Sequence, residues 1–161
     1  MVEIKVKIQI DAPIEKVWNV ISQVDNDSEF WNITKLVKNI SKKENEIVRE
    51  IMLDKIDKCS QTVTFLPKEA IHVQWTKGAI TGTKDMSLTI LGSSTLLEVK
   101  MNYVISGPSR FFPGKITEKL QIEAEYALDL IKEKTEGKMH VIPMEPRKFW
   151  AEMIEHGNKN P

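Results

Sequence analysis

The chain has 161 residues, of which 41% are apolar, and its 23 basic residues balance 23 acidic ones. This length fits one domain that can bury a core without disulfides or a structural metal. Balanced charge argues against nucleic-acid binding, which usually needs a concentrated basic face. The single cysteine, Cys59, cannot form an internal disulfide, and no segment is long and apolar enough to span a bilayer. Charged residues interrupt any signal-peptide core near the N-terminus, so we expect a cytoplasmic protein.

Strict alternation of apolar and polar residues from Val2 to Ile10 predicts a strand with one solvent-exposed face. Pro13 fits the first turn of the short amphipathic helix that follows. The polar cluster from Asp25 to Glu29 is interpreted as a solvated turn, because Phe30 stands where a calcium loop needs glycine. Phe30 and Trp31 then lead into a second, very short helix or turn.

Six further strands follow, joined by short turns such as Glu44-Asn45, Pro67-Lys68 and Gly92-Ser93. Links this short leave no room for crossover helices, so the sheet must be antiparallel. The predicted strands are Thr34–Ser41, Glu46–Leu53, Ser60–Leu66, Ala70–Lys77, Lys84–Leu91 and Thr95–Ser106.

A long amphipathic helix is predicted from Ile116 to Lys134, and it is the only element long enough to cover the apolar face of the sheet. We therefore expect an α+β fold with seven antiparallel strands curled around this helix, leaving a cavity between them. Residues 1–134 form this domain, and 135–161 are a C-terminal extension with a predicted short helix. The expected cavity walls are Val63, Phe65, Ile71, Val73, Trp75, Met86, Leu88, Ile90, Leu97, Val99, Met101 and Tyr103.

The segment from Ile10 to Trp18, Ile-Asp-Ala-Pro-Ile-Glu-Lys-Val-Trp, resembles the start of START/Bet v 1-like (SRPBCC) proteins. Trp31, Gly82, Thr95 and the long C-terminal helix extend this resemblance, which is nearest to the polyketide cyclase and coenzyme Q-binding, ribosome-association toxin-like branch. The resemblance implies a helix-grip fold with an apolar tunnel that binds lipids, quinones or polyketides. It does not select one chemistry, because the family includes both carriers and enzymes.

The alternation along the strands places several polar residues on the same face of the sheet as the cavity walls. Arg49, Gln61 and Lys84 are placed to anchor a ligand, although a bulge or a position at the sheet rim would let Arg49 reach water. Tyr103 is a candidate donor to a ligand oxygen, with a structural hydrogen bond as the alternative. Trp75 either stacks on a flat ligand or belongs to the core.

Trp18 and Trp31 are interpreted as structural, because both belong to the short helices that close one end of the barrel. In the loop from Ser106 to Gly114, Phe111 and Phe112 either gate the cavity or fasten the helix to the sheet. The complete predicted ligand-binding set is Arg49, Gln61, Trp75, Lys84, Met86, Leu88, Val99, Met101, Tyr103, Phe112, Ile116 and Leu120.

The leading hypothesis is a carrier or sensor for a small hydrophobic molecule, such as a lipid, quinone or polyketide. The alternatives are a polyketide cyclase or dehydratase, in which Arg49 or Tyr103 polarises a carbonyl, and a protein-interaction module that acts through residues 138–161. Whether the protein is an enzyme stays open. No metal site or cofactor is predicted, because the three histidines lie apart and phosphate-binding motifs are missing from the sequence.

Overall fold

The computed structural model describes residues 2–32, 34–53, 57–106 and 113–137. In chain order the elements are β1 (Val2–Ile10), α1 (Ile14–Ile21), a 3₁₀ helix (Val24–Glu29), β2 (Thr34–Lys43), β3 (Glu46–Leu53), β4 (Asp57–Leu66), β5 (Ala70–Lys77), β6 (Ile80–Leu91), β7 (Ser94–Ile105) and α2 (Pro113–Glu136).

The seven strands form one antiparallel sheet in the order β1-β7-β6-β5-β4-β3-β2. Successive strands from β2 to β7 pair with each other, as their short connections predict. β1 and β2 are the two edges, so the sheet is curled but not closed. The chain crosses from one edge to the other through α1 and the 3₁₀ helix. The predicted α+β helix-grip architecture is confirmed.

Apolar side chains of alternate strand residues meet those of α2 in one core. The inner stripe of α2 includes Leu120, Ala124, Ala127, Leu128 and Ile131, all buried as expected. α2 packs mainly against β1, with smaller contacts to α1 and β7. The core therefore lies between the concave face of the sheet, the long helix and the two short helices.

Two sequence expectations need correction here. Ile90, predicted as a cavity wall, is 62% exposed, because it lies at the end of β6 beside the turn at Gly92. The predicted linker beginning at Thr135 starts too early, since α2 continues to Glu136 and the buried Thr135 hydroxyl donates to the carbonyl oxygen of Ile131. Residues 107–112, which include the predicted gate residues Phe111 and Phe112, and the whole segment 138–161 lie outside the described residues.

Gly82 shapes the middle of the sheet, where it pairs with Trp75 on β5 and Tyr103 on β7. Its φ of 135° lies in the region that favours glycine. An added Cβ would collide with the backbone oxygen of Asn102. With no side chain between them, the rings of Trp75 and Tyr103 meet edge to face, with centroids 5.5 Å apart.

None of the helices in the described ranges combines the length and apolar character that crossing a membrane requires.

Candidate functional site

Arg49 lies on the concave face of β3, as strand periodicity predicts, and is 1% exposed. Its guanidinium makes three hydrogen bonds: Nε donates to Gln61 Oε1 at 2.8 Å, Nη1 to the carbonyl oxygen of Val24 at 2.9 Å, and Nη2 to Asp27 Oδ2 at 2.7 Å. The planar fork of arginine suits this arrangement of acceptors. Arg49 therefore fastens the 3₁₀ helix to the sheet.

The position of Asp27 corrects the interpretation of residues 25–29 as a solvated turn. These residues belong to the 3₁₀ helix, and Asp27 is buried against Arg49. The other two carboxylates of the segment, Asp25 and Glu29, are exposed, and Asp25 accepts a hydrogen bond from Asn39, which lowers the pKa of Asp25. One acidic residue of the cluster thus completes a buried ion pair while the other two stay at the surface.

A second polar centre lies between β6, β7 and α2, around a small cavity that we call the Lys84 chamber. Its volume is about 20 Å³, enough for roughly one water molecule and far below the 300 Å³ or more of typical ligand pockets. The chamber is lined by Trp31, Thr34, Trp75, Lys84, Met101, Tyr103, Leu120 and Glu123.

Lys84 is 5% exposed, and its ammonium nitrogen lies 3.7 Å from the centroid of the Trp31 ring, within cation–π distance. Burial lowers the pKa of Lys84 from 10.5 to about 8, and the nearby charge of Arg49 acts in the same direction. Asp27 and Glu123 oppose this shift because their negative charges favour the ammonium form. The Lys84 amine is therefore partly uncharged near neutral pH.

Two hydrogen-bond donors of the chamber come from aromatic side chains. Burial, reinforced by the charge of Glu123, raises the pKa of the Tyr103 phenol well above its usual value, so the hydroxyl stays protonated. Trp75 Nε1 is buried and has no hydrogen-bond partner among the described residues. An indole N–H left without an acceptor is costly, and the Trp75 side chain lines the chamber.

The structure divides the predicted site residues into four groups. Five line the Lys84 chamber: Trp75, Lys84, Met101, Tyr103 and Leu120. Two, Arg49 and Gln61, bond to each other at the 3₁₀ helix. Three belong to the core away from the chamber: Met86, Leu88 and Val99. The last two are Phe112, outside the described residues, and Ile116, which lies on α2 but whose side chain is not described.

Three lining residues were missed by the sequence interpretation. Trp31 was assigned a purely structural role, yet its ring forms one wall of the chamber. Thr34 begins β2 and is buried. Glu123, also buried, falls three residues after Leu120 on the inner face of α2, a spacing that identifies it in the sequence.

The described part of the chain also has a depression of about 480 Å³ on the outer face of β1, β7 and β6. Its lining includes the exposed residues Lys5, Glu98 and Lys100 together with Asp85. Exposed charged side chains of both signs are typical of the solvent-exposed face of a sheet. The Lys84 chamber differs because its polar groups are withdrawn from water.

Comparison with known proteins identifies the fold of this chain but not its activity. The sequence matches no protein-family model and no curated protein. Among solved structures, the aromatase/cyclase Zhui from Streptomyces sp. R1128 superimposes with a TM-score of 0.70 at 12% identity, covering 88% of this chain and 97% of that one. A START superfamily protein from Mycobacterium smegmatis gives 0.65 at 17% identity, covering 85% and 99%.

A third structure, the protein TTHA0849 from Thermus thermophilus, gives a TM-score of 0.73 at 10% identity and covers 84% of this chain and 97% of that one. The resemblance inferred from the sequence is thus confirmed at the level of fold: the chain has the architecture shared by START proteins and polyketide aromatase/cyclases. Identities this low carry no information about substrate or reaction.

Proposed function

We propose that this protein binds a small hydrophobic ligand between the sheet and α2, with a polar oxygen of the ligand held in the Lys84 chamber. The observation that carries the proposal is made at Trp75, whose side chain lines the chamber and whose buried N–H has no acceptor among the described residues. A ligand oxygen in the chamber would accept this hydrogen bond. The apolar wall residues would supply most of the affinity.

The polar groups beside Trp75 support the same conclusion. Lys84 and Tyr103 are both buried in the chamber wall, where each can donate a hydrogen bond to an oxygen. A fold that needed only a packed core would be more stable with apolar residues at these positions, because burying an amine carries a desolvation cost. Their burial beside a cavity is typical of a binding site.

Ligand entry requires the chamber to expand, since about 20 Å³ accommodates only the polar end of a molecule. Two of its walls are suited to this. Met101 is unbranched and repacks easily, and Leu120 belongs to a helix that rests mainly on β1 rather than on β6. We expect the ligand's apolar body to take the space that these two side chains occupy.

Calorimetric titration with naphthalenemethanol and methylnaphthalene tests this proposal. The two probes share an apolar ring system and differ in the hydroxyl oxygen. In Trp75→Phe the preference for the alcohol over the hydrocarbon should fall about three- to tenfold, the contribution of one hydrogen bond. Trp18→Phe is the matched control, because Trp18 packs edge to face on Phe65 away from the chamber. The proposal fails if neither probe binds, or if Trp75→Phe leaves the preference unchanged.

A cyclase- or dehydratase-type enzyme is the second candidate, favoured by a protonated Tyr103 that lines the same chamber as Lys84. Tyr103 is better placed than Arg49 to polarise a substrate carbonyl, because three protein acceptors already engage the Arg49 guanidinium. Chromatography of a short poly-β-keto thioester incubated with the protein would detect cyclised product. Tyr103→Phe should lower its rate about a hundredfold, and an unchanged rate excludes this role of Tyr103.

The third hypothesis, a protein-interaction role for residues 138–161, stays a prediction because that segment lies outside the described residues. The cytoplasmic location likewise remains an expectation from the sequence.

A further inference from the structure

Lys84 differs from the lysines on the outer face of the sheet. It occupies a concave-face position of β6, two residues after Gly82 and two before the buried Met86. One side of its amine faces the Trp31 ring, and the side chain also borders the chamber. An amine held against an aromatic wall next to a cavity has the placement of a nucleophile as well as that of a hydrogen-bond donor.

The nucleophilic form of lysine is the uncharged amine. With a pKa of about 8, roughly a tenth of Lys84 is uncharged at pH 7, compared with less than about a thousandth for a lysine at 10.5. A minor but larger fraction of Lys84 than of an exposed lysine is therefore in the nucleophilic form at pH 7.

The chamber also contains donors suited to a carbonyl oxygen. Lys84 pairs with Met101 across the β6–β7 ladder, and Tyr103 is two residues further along β7, which makes Lys84 and Tyr103 diagonal neighbours. Tyr103 and Trp75 line the same chamber as Lys84, and the Trp75 N–H has no acceptor among the described residues. A carbonyl group in this space would meet a nucleophile at carbon and donors at oxygen.

We propose that Lys84 condenses with a carbonyl group of the bound ligand to form a reversible Schiff base, so that the ligand class is a hydrophobic aldehyde or ketone. This inference rests on the proposed function, because it needs the polar end of the ligand in the Lys84 chamber.

The reaction balances without any oxidant or reductant. The nitrogen lone pair of Lys84 forms a bond to the carbonyl carbon, and the carbonyl π electrons move to the oxygen. Proton transfer from nitrogen to oxygen, with Tyr103 hydrogen-bonded to that oxygen, gives a neutral carbinolamine. The hydroxyl then leaves as water together with the remaining proton of the nitrogen, and the nitrogen electron pair forms the second bond of C=N. Hydrolysis reverses each step and releases the ligand unchanged.

The charges around Lys84 suit the protonated form of the product. Asp27 on the 3₁₀ helix and Glu123 on α2 favour a positive charge at this nitrogen, whereas Arg49 on β3 opposes it, and the Tyr103 phenol is uncharged. Two carboxylates against one guanidinium give a net attraction for an iminium ion. Formation of the adduct should accelerate between pH 6 and about 8 as Lys84 loses its proton.

The test is reductive trapping with naphthaldehyde and cyanoborohydride, followed by intact-mass and peptide analysis. A trapped Schiff base adds the mass of the aldehyde less one oxygen atom. We expect Lys84 to be modified at least about tenfold faster than any other lysine, and excess naphthalenemethanol to slow this reaction. Lys84→Arg and Lys84→Met should abolish the fast adduct, while Lys100→Arg on the outer face should retain it.

The outcomes separate this inference from the proposed function. If naphthalenemethanol binds but naphthaldehyde modifies only surface lysines, the Schiff base is excluded and the binding site stands. If the fast adduct persists in Lys84→Met, another amine is responsible and the inference is overturned. If neither compound interacts with the protein, both proposals fail. Binding of naphthalenemethanol by the Lys84 variants shows that they are folded, so that a lost adduct reports the missing amine.

Discussion

Arg49 and Lys84 are buried cations on the concave face of the same sheet, and their surroundings differ. Arg49 on β3 donates to three protein acceptors, including the carboxylate of Asp27. Lys84 on β6 lies over an aromatic ring beside a cavity, and its pKa is lowered. In the first region the protein itself completes the polar network. In the second, a donor on Trp75 still lacks an acceptor among the described residues.

The chemistry of the two side chains matches this difference. Guanidinium remains charged in proteins and presents a rigid fork, which suits a permanent tie between the 3₁₀ helix and the sheet. An amine can lose its proton when buried and so can change state when a ligand arrives. We infer that Arg49 serves the fold and Lys84 serves the ligand. The following experiments would break or sharpen that distinction.

Removing the Arg49 charge should produce the largest loss of stability. Arg49→Met leaves the Asp27 carboxylate buried without its partner, and we expect the free energy of unfolding to fall by about 3–5 kcal/mol. Urea denaturation measures this change. Asp25→Ala is the matched control, since Asp25 contacts Lys42 at the surface and its removal should cost about 1 kcal/mol or less. Equal losses in the two variants would mean that the Arg49 network is not a structural tie.

A side chain at Gly82, which pairs with the chamber residues Trp75 and Tyr103, should lower stability nearly as much. In Gly82→Ala the new Cβ would collide with the backbone oxygen of Asn102 and stand at an unfavourable positive φ, so we expect a loss of about 3 kcal/mol. Gly92→Ala is the control, because Gly92 also has a positive φ but no atom lies within 4 Å of its added Cβ. Its cost should be only about 1 kcal/mol. Similar melting temperatures for the two variants would contradict the close backbone approach at Gly82.

Replacing Lys84 should raise the free energy of unfolding, whereas replacing Arg49 should lower it. Lys84→Met removes an amine whose ionisation burial disfavours, and we expect the protein to gain about 1–3 kcal/mol of stability at pH 7. Lys100→Met on the outer face should change stability by less than about 0.5 kcal/mol. Urea denaturation at pH 7 distinguishes these variants. A loss of stability in Lys84→Met comparable to that in Arg49→Met would place Lys84 among the residues that maintain the fold.

The pH dependence of stability provides a smaller and more specific signal. The pKa of Lys84 is about 8 in the folded chain and near 10.5 when unfolded, so the unfolded chain binds more protons between these values. Stability contributed by this residue must therefore rise with pH across that window. The stability advantage of Lys84→Met over the wild type should shrink between pH 8 and 10. An advantage that stays constant over this range would exclude the lowered pKa.

Strand periodicity predicts most of the fold and puts Arg49, Gln61 and Lys84 on the same face as the cavity walls, where the structure buries all three. It leaves open whether a bulge or a rim position lets Arg49 reach water, and the burial of Arg49 decides this point. It could not identify Asp27 as a partner, because that contact joins residues 22 positions apart through the packing of a short helix. Helical periodicity could have predicted Glu123 on the inner face of α2, because Glu123 follows Leu120 at i+3. The volume of the chamber depends on how side chains from several elements fill the interior, which periodicity does not specify.

The central claim is that the Lys84 amine faces the ligand, and NMR titration of the Lys84 Cε methylene signals tests it most directly. Assignment by comparison with Lys84→Arg would identify the signals, and the pH would be varied with and without naphthalenemethanol. We predict a midpoint near pH 8 that shifts when the alcohol binds. A midpoint near 10.5, or one that bound naphthalenemethanol leaves unchanged, would contradict this assignment of Lys84.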